Sequence, residues 1–255
     1  MGLSGLRTED IAGVRWIRFH RPEALNALRR VDIAEARVLV EEACRSMKAV
    51  VFGGTGERSF SAGIHVEEFL DLTPARAREL IGDLKALLES VRRAPIPTVC
   101  AVNGYCLGGA MELAMVCDVR VAAEHAVFGM PEIRVGIPSV LDAALLQQHV
   151  GLSKAKEMLL TGNLYGAREM ERYGFLNKVV EPDKLEDEAV LMLDRMTGHS
   201  RSALAAQKRL FERWQNAGLE ESIRASVDEF ALLFEEEETR AAIREYAGKL
   251  RKKRS

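Results

Sequence analysis

The sequence predicts an α/β fold that ends in a helical region, and three observations support this. Before residue 198, short apolar runs typical of strands alternate with longer segments of helical periodicity. The run Ala49–Phe52 is continuously apolar, as expected of a strand in a sheet that is buried on both faces. After the polar break His199–Ser202, only helical periodicity remains. We therefore expect a core at residues 1–198 and a helical region at 199–255.

Size and charge narrow the class of protein. The chain has 255 residues, is 47% hydrophobic and carries a formal net charge of -2. It is long enough for a full core, and its charge argues against a nucleic acid or an anionic membrane as the main partner. No signal peptide and no membrane-spanning run is evident, so we expect a cytoplasmic protein. The four cysteines lack metal-ligand spacing, which predicts no metal site and a reducing compartment.

The first elements alternate between strand and helix. Ile11–Phe19 is predicted to be a strand with a hairpin or bulge at Gly13. Thr73–Arg93 has helical spacing, with Thr73 as N-cap and Pro74 at the first helical position. The other predicted elements are a turn and loop at His20–Leu28, a helix at Val31–Met47, a strand at Lys48–Gly53, a turn at Gly53–Arg58, and an apolar segment leading to a helix start at Phe60–Phe69.

After residue 117 the predicted elements become shorter until the helical region. Those up to residue 174 are a strand at Asp118–Ala122, a short strand or loop edge at Ala126–Glu132, a turn at Gly136–Ser139, and helices at Val140–Val150, Ser153–Thr161 (N-cap Ser153) and Ala167–Tyr173 (stopped by Gly174). Those that follow are a strand at Leu176–Val180 and helices at Leu185–Met196, Ala203–Asn216, Leu219–Phe234 and Glu238–Leu250. The basic end Lys249–Arg254 is expected to be a solvated tail.

The central element is the strand Thr98–Val102, which leads through a Gly-rich turn into a helix with Glu112 in its first turn. Backbone amides at a helix start lack partners and carry the positive end of the helix dipole. Gly108 and Gly109 let a ligand approach that backbone, so the turn could hold a developing anion. An ordinary packing turn explains the same residues equally well. A second turn of small residues, Ala62–Ile64, precedes another predicted helix start.

Two acidic residues lie in or near these turns. Glu132 follows Pro131 at the end of an apolar segment, which is unusual for a solvated charge, and Glu112 begins a helix. Two carboxylates with environment-shifted pKa values can divide acid and base work. The alternatives are a dipole-stabilised first-turn residue for Glu112 and a surface ion pair with Arg134 for Glu132.

Four segments together resemble the crotonase (enoyl-CoA hydratase/isomerase) family, and they occur in that family's order and spacing. The segments are His20–Leu28, Phe60–Ile64, Ala101–Ala114 with Cys117–Asp118, and Phe128–Glu132. The match continues through Gly151–Ala155 and Leu160–Gly162 and covers roughly residues 10 to 215. The resemblance implies a spiral of ββα turns, and a helical C-terminal region that packs the chain as a homotrimer or a dimer of trimers.

The resemblance also implies a coenzyme A thioester as substrate, with no separate cofactor, and a place in fatty acid metabolism. Carried over, the amides of Ile64 and Gly109 form an oxyanion hole for the thioester carbonyl. Glu112 would direct a water onto C3, and Glu132 would exchange the proton at C2. The positions matching the coenzyme A and substrate contacts are Ala24, Leu25, Ala62, Gly63, Ile64, His65, Val66 and Gly108. Lys208–Arg209 could reach a coenzyme A phosphate, or form a solvated helix face.

Two departures from the family pattern affect the expected site. His65 stands where the family usually has Asp, and Pro138–Ala143 replaces a Pro-Gly-x-Gly-Gly run, which should reshape the acyl pocket. The presence of both Glu112 and Glu132 favours a hydratase, because isomerisation needs only one base. The sequence therefore predicts hydration of a 2-enoyl-CoA. The alternatives are an isomerase or acyl-CoA hydrolase of the same family, and a non-catalytic coenzyme A-binding subunit.

Overall fold

Strands and helices alternate up to residue 198 in the computed structural model of the protein, which describes residues 5–252. The strands are β1 Leu6–Ile11, β2 Val14–Phe19, β3 Ala49–Gly54, β4 Ser59–Ser61, β5 Thr98–Val102, β6 Tyr105–Leu107, β7 Val119–Ala123, β8 Val127–Gly129, β9 Leu164–Gly166 and β10 Lys178–Val180. The helices are α1 Arg30–Ser46, α2 Pro74–Arg92, α3 Gly109–Val116, α4 Leu146–Val150, α5 Leu152–Thr161, α6 Ala167–Arg172, α7 Leu185–Thr197, α8 Arg201–Asn216, α9 Leu219–Leu232 and α10 Glu237–Lys252.

The strands form two sheets, with orders β1-β2-β3-β5-β7-β10 and β4-β6-β8-β9. In the larger sheet, the neighbouring strands β2, β3, β5, β7 and β10 are parallel to one another. In the smaller sheet, β4, β6 and β8 are parallel. The chain adds one strand to each sheet and then a helix, as in β3-β4-α2 and β5-β6-α3. This repeated ββα unit is the spiral that the sequence resemblance implied.

The larger sheet is buried on both faces. Its inner face and the smaller sheet share a core in which Phe19 and Phe60 meet edge to face, with ring centroids 5.1 Å apart. Its outer face is covered by α7, whose Leu193 packs with Trp16 and Val51. The continuously apolar sequence of β3 follows from this double burial, as predicted.

Most predicted elements are confirmed, and one predicted cap is wrong. Thr73 Oγ1 accepts from the Arg76 amide and Pro74 begins α2, as expected. Ser153 is not a cap, because α5 starts one residue earlier and Gly151, with a φ of 79°, precedes it. The strands β1, β6 and β9 were not predicted as separate elements, and Val140–Val150 is divided between a 3-10 turn and α4.

The chain after residue 198 is helical, as predicted, and α8 begins at Arg201 with Ser200 as its N-cap. Its helices leave a set of large apolar side chains exposed, including Phe211, Trp214, Leu219, Ile223, Val227 and Phe230. Within residues 5–252, no helix is long and apolar enough to cross a membrane. The described residues exclude residues 1–4 and 253–255. The first range is part of the segment expected to lack a signal peptide, and the second is the end of the basic tail.

Candidate active site

A cleft of about 360 Å³ lies where the start of α3 meets the segment after β4 and the 3-10 turn Pro131–Val135. Of the site residues expected from the sequence, the cleft is lined by Ala62, Ile64, Val66, Gly108, Gly109, Glu112 and Glu132. The rest of its wall is largely apolar and includes Phe69, Ile81, Leu84, Val135, Ile137 and Val140. The structure therefore brings residues that are far apart in sequence to one apolar pocket.

A larger open concavity of about 1150 Å³ lies elsewhere, beyond the carboxyl ends of β2, β3 and β7. In its lining, Arg18 makes a bidentate contact with Glu186. Two carboxylates with raised pKa values, Glu112 and Glu132, line the smaller cleft instead. Perturbed carboxylates in a mostly apolar pocket are the better indication of an active site.

The start of α3 presents the Gly109 amide to the cleft. Gly108 adopts a φ of 54° and donates its own N–H to Gly129 O at 3.0 Å, which anchors the turn to β8. Gly109 is the first residue of α3, and the amides of a first helical turn have no partner within their helix. The Gly109 N–H is therefore available to an anion, with the positive end of the helix dipole behind it.

The Ile64 amide is left available by a different arrangement. Ile64 forms an isolated parallel bridge with Leu28, in which Leu28 N donates to Gly63 O and His65 N donates to Leu28 O, both at 2.8 Å. The bridge does not use the Ile64 N–H. Gly63 has a φ of 83°, and a Cβ there would lie 2.7 Å from Leu107 O and 3.1 Å from Gly109 N. Only glycine fits this close approach, which holds the two amide-bearing segments together.

Glu112 is buried, with 3% of its surface exposed. Its Oε1 accepts from the Ala143 amide at 3.1 Å. Burial is the main cause that raises its pKa to about 8, the nearby charges of Glu132 and Asp142 add to the shift, and the Ala143 bond opposes it. A carboxyl group with a pKa near neutrality can both accept and return a proton.

Glu132 is half-buried on the opposite side of the Gly108 turn. Its Oε2 accepts from the Ser139 hydroxyl at 2.9 Å, and a Cβ on Gly108 would lie 2.6 Å from its Oε1. Burial raises its pKa, and the Ser139 bond is among the effects that oppose the shift. The alternative of a surface ion pair is not adopted, because Arg134 donates to Asn163 Oδ1 at 3.1 Å.

Four of the expected coenzyme A-contacting positions do not line this cleft: Ala24, Leu25, Gly63 and His65. Ala24 and Leu25 lie behind it, where Leu25 O accepts from the Ala62 amide at 2.9 Å. His65 accepts at Nδ1 from the Glu67 amide at 3.3 Å and so caps the 3-10 turn Val66–Phe69. That contact gives His65 a structural role at the edge of the site.

Asn26 is a positioning residue that sequence reasoning missed. Leu25 and Asn26 both have a positive φ, 52° and 55°, which an asparagine tolerates better than most residues. The buried Asn26 amide donates to Thr55 O and Ser59 O, at 3.0 and 2.7 Å. It thereby ties the loop to the strand that leads to Ala62. The sequence offered one indication of this role, an asparagine in a predicted loop. By itself, an asparagine in a loop indicates only a turn.

A half-buried charge network lies behind Glu112 and was also missed. Asp142, next to the Ala143 amide that binds Glu112, pairs with Arg92 Nη1 at 2.5 Å. Arg92 Nε in turn lies 2.9 Å from Glu212 Oε2 of α8. The helical C-terminal region is thus connected to the segment that holds Glu112.

Lys208 and Arg209, for which a phosphate contact or a solvated helix face was expected, both contact carboxylates of the chain itself. Lys208 Nζ lies 2.6 Å from Asp118 Oδ2 and donates to Ile96 O at 3.0 Å. Arg209 makes a bidentate contact with Glu229. Within residues 5–252, no cluster of His, Cys, Asp and Glu could hold a metal ion.

The sequence matches the family model described as enoyl-CoA hydratase/isomerase over residues 9–254. It is 34% identical over 254 residues to a probable enoyl-CoA hydratase from Rhizobium meliloti, covering 98% of this chain and 97% of that protein. It is 31% identical over 233 residues to a crotonyl-CoA hydratase from Syntrophomonas wolfei, covering 90% and 88%.

Solved structures show the same fold. The crystal structure of an enoyl-CoA hydratase from Mycobacterium smegmatis superposes with a TM-score of 0.92 at 25% identity, and the match covers 97% of each chain. The predicted spiral of ββα turns followed by C-terminal helices is therefore confirmed.

Proposed function

The chain belongs to the enoyl-CoA hydratase/isomerase family, and we propose that it catalyses the reversible hydration of a 2-enoyl-CoA thioester to a 3-hydroxyacyl-CoA. One observation supports this proposal most directly. Two carboxylates with raised pKa values, Glu112 and Glu132, face one apolar cleft beside the amide-bearing backbone of Ile64 and Gly109. Hydration needs both a group that activates water and a group that exchanges a proton at carbon.

The backbone amides would stabilise the charge that develops during the reaction. Addition at C3 pushes electron density onto the thioester oxygen and gives an enolate-like transition state. The amides of Ile64 and Gly109 would donate to that oxygen. Because the charge is larger in the transition state than in the bound substrate, these donors raise the rate and not only the affinity.

The two carboxylates would divide the proton transfers. In hydration, Glu112 takes a proton from the water that forms the new C3–O bond, and Glu132 gives a proton to C2 as the double bond is lost. In the reverse direction, Glu132 takes the C2 proton, the C3–O bond breaks, and Glu112 protonates the leaving hydroxyl so that water departs. The pKa of about 8 at Glu112 suits a group that works in both directions near neutral pH.

The acyl group would lie along the apolar part of the cleft, against Phe69, Ile81 and Val140. Coenzyme A would be contacted by the segment Ala62–Val66 and by Ala24–Leu25. The proposed chemistry requires no further cofactor, because coenzyme A is part of the substrate. We place the enzyme in the cytoplasm and in fatty acid metabolism.

We further propose that α8–α10 assemble the chain into a homotrimer or a dimer of trimers. The exposed apolar side chains of these helices, including Leu219, Val227 and Phe230, are more than 50% exposed in the isolated chain. Large exposed apolar patches mark interaction surfaces. Sedimentation analysis is expected to give a mass three or six times the 28.3 kDa of one chain. A stable monomer at micromolar concentration would contradict the assembly.

The test of the proposed reaction is a turnover screen against enoyl-CoA thioesters of different chain length. We expect loss of the conjugated thioester absorbance and formation of 3-hydroxyacyl-CoA, identified by mass. Release of free coenzyme A would indicate a hydrolase, and migration of the double bond an isomerase. Tight acyl-CoA binding with no turnover of any substrate would indicate a binding subunit. Each of these three outcomes overturns the hydratase assignment.

A further inference from the structure

The Ser139 hydroxyl holds one carboxylate oxygen of Glu132. The hydroxyl is half-buried in the wall of the cleft and donates to Glu132 Oε2 at 2.9 Å. Ser139 lies in the segment that replaces the Pro-Gly-x-Gly-Gly run of the resembled family. A glycine would offer the carboxylate no such side-chain donor.

The two carboxylates of the cleft are held in different ways. Glu112 accepts from a backbone amide and is almost fully buried. The negative charges of Glu132 and Asp142 lie close enough to raise its pKa further. Glu132 is less buried and accepts from a hydroxyl at one oxygen, while its other oxygen lies beside Gly108. A donor that binds a carboxylate oxygen favours the ionised form of that group. When the pair shares a single proton, these surroundings favour the proton on Glu112 and the negative charge on Glu132.

We propose that Ser139 is a positioning residue that orients Glu132 and favours its ionised form, the form that takes the C2 proton when a 3-hydroxyacyl-CoA is dehydrated. Hydration starts from the other arrangement, with the shared proton on Glu132. This inference rests on the proposed function only for its kinetic consequence. The hydroxyl fixes Oε2, so that Oε1 is the oxygen presented to C2 of the substrate. The pair titrates as a unit, and loss of the hydroxyl should move the step that ionises Glu132 to higher pH.

The first test needs no substrate. Carbon-13 titration of protein labelled at the glutamate carboxyl carbons, with E132Q used for assignment, follows the ionisation of Glu132 directly. We expect S139A to raise the pKa of Glu132 by about one pH unit, because a hydrogen bond to an ionised group is lost. S139T retains a hydroxyl and is expected to restore the wild-type titration. An unchanged titration in S139A would refute the proposal, whether or not the protein is a hydratase.

The second test is the pH profile of kcat/KM for dehydration of a 3-hydroxyacyl-CoA, the direction in which Glu132 acts as the base and must be ionised. The acidic limb is expected to move up by about one pH unit in S139A and to return in S139T. S90A is a matched control, since Ser90 Oγ of α2 donates only to Leu87 O at 2.7 Å, away from the cleft. Lower activity in S139A with an unshifted limb would mean that Ser139 has only a packing role, and would overturn the inference.

Discussion

Replacing Glu112 by Gln is expected to lower kcat for enoyl-CoA hydration by about 100- to 10,000-fold, the range associated with loss of a general base. Gln has nearly the same shape, and its carbonyl oxygen can still accept from the Ala143 amide that holds Glu112 Oε1. It cannot take a proton from water. The measurement is the initial rate of hydration under saturating substrate, compared with wild type.

Exchange of the C2 proton with solvent distinguishes loss of the Glu112 base from a general loss of activity. Glu132 would still reach the C2 proton in E112Q, so exchange of that proton with deuterated solvent should persist on a saturated acyl-CoA. E132Q is the matched variant, in which the exchange should be lost. Hydration by E112Q at close to the wild-type rate would show that Glu112 is not the base, and would favour an isomerase that uses Glu132 alone.

Stability provides the control for folding of E112Q. Burial raises the pKa of Glu112 from 4.5 to about 8, so the folded protein binds a proton that the unfolded chain releases. The stability of the wild type therefore falls as pH rises from about 4.5 to about 8, by an upper limit of roughly 5 kcal/mol. E112Q has no such proton and should lose this part of the pH dependence. Urea unfolding of both proteins at pH 5 and pH 8 measures the difference, and an inactive but more stable E112Q excludes misfolding.

Local sequence signals predicted the elements that are long or capped by their own residues. The α2 helix is an example, because Thr73 and Pro74 specify its start without help from the rest of the fold. Ser153 failed as a cap, since Gly151 in a left-handed conformation already ends the preceding turn. The strands β6 and β9 have three residues each, and their pairing with β8 decides their conformation more than their own propensity does.

The composition of the cleft was predictable only in part. The motif order indicated that the segments of Ile64 and Gly109 belong to one site, although no local pattern states that they touch. The contacts that tune the carboxylates were not predictable in this way. Arg92 and Asp142 are 50 residues apart, and their pairing depends on how α2 packs against the turn before α4. The Ser139 bond to Glu132 spans seven residues, but it depends on the path of an irregular loop.

Replacing Gly109 by Pro is expected to lower kcat for hydration by about 100- to 1,000-fold, the effect of losing one oxyanion donor. The substitution removes the backbone N–H, which a side-chain change elsewhere in the cleft would not do. Proline is well tolerated at the first position of a helix, and Gly109 occupies that position in α3. The missing N–H has no partner within the helix, so α3 loses no hydrogen bond.

Gly109→Ala is the matched control, because it adds a side chain at the same place but keeps the amide. A Cβ there would lie 3.2 Å from Leu84 Cδ2, the end of a flexible side chain that can move slightly. G109A should therefore retain most of the activity. The Cδ of proline takes the place of the amide hydrogen, so G109P should bind a saturated acyl-CoA more weakly than G109A does, and kcat is compared at saturating substrate. A kcat close to wild type in both variants would show that the Gly109 amide is not an oxyanion donor, and an equal loss of kcat in both would assign the effect to crowding at Leu84.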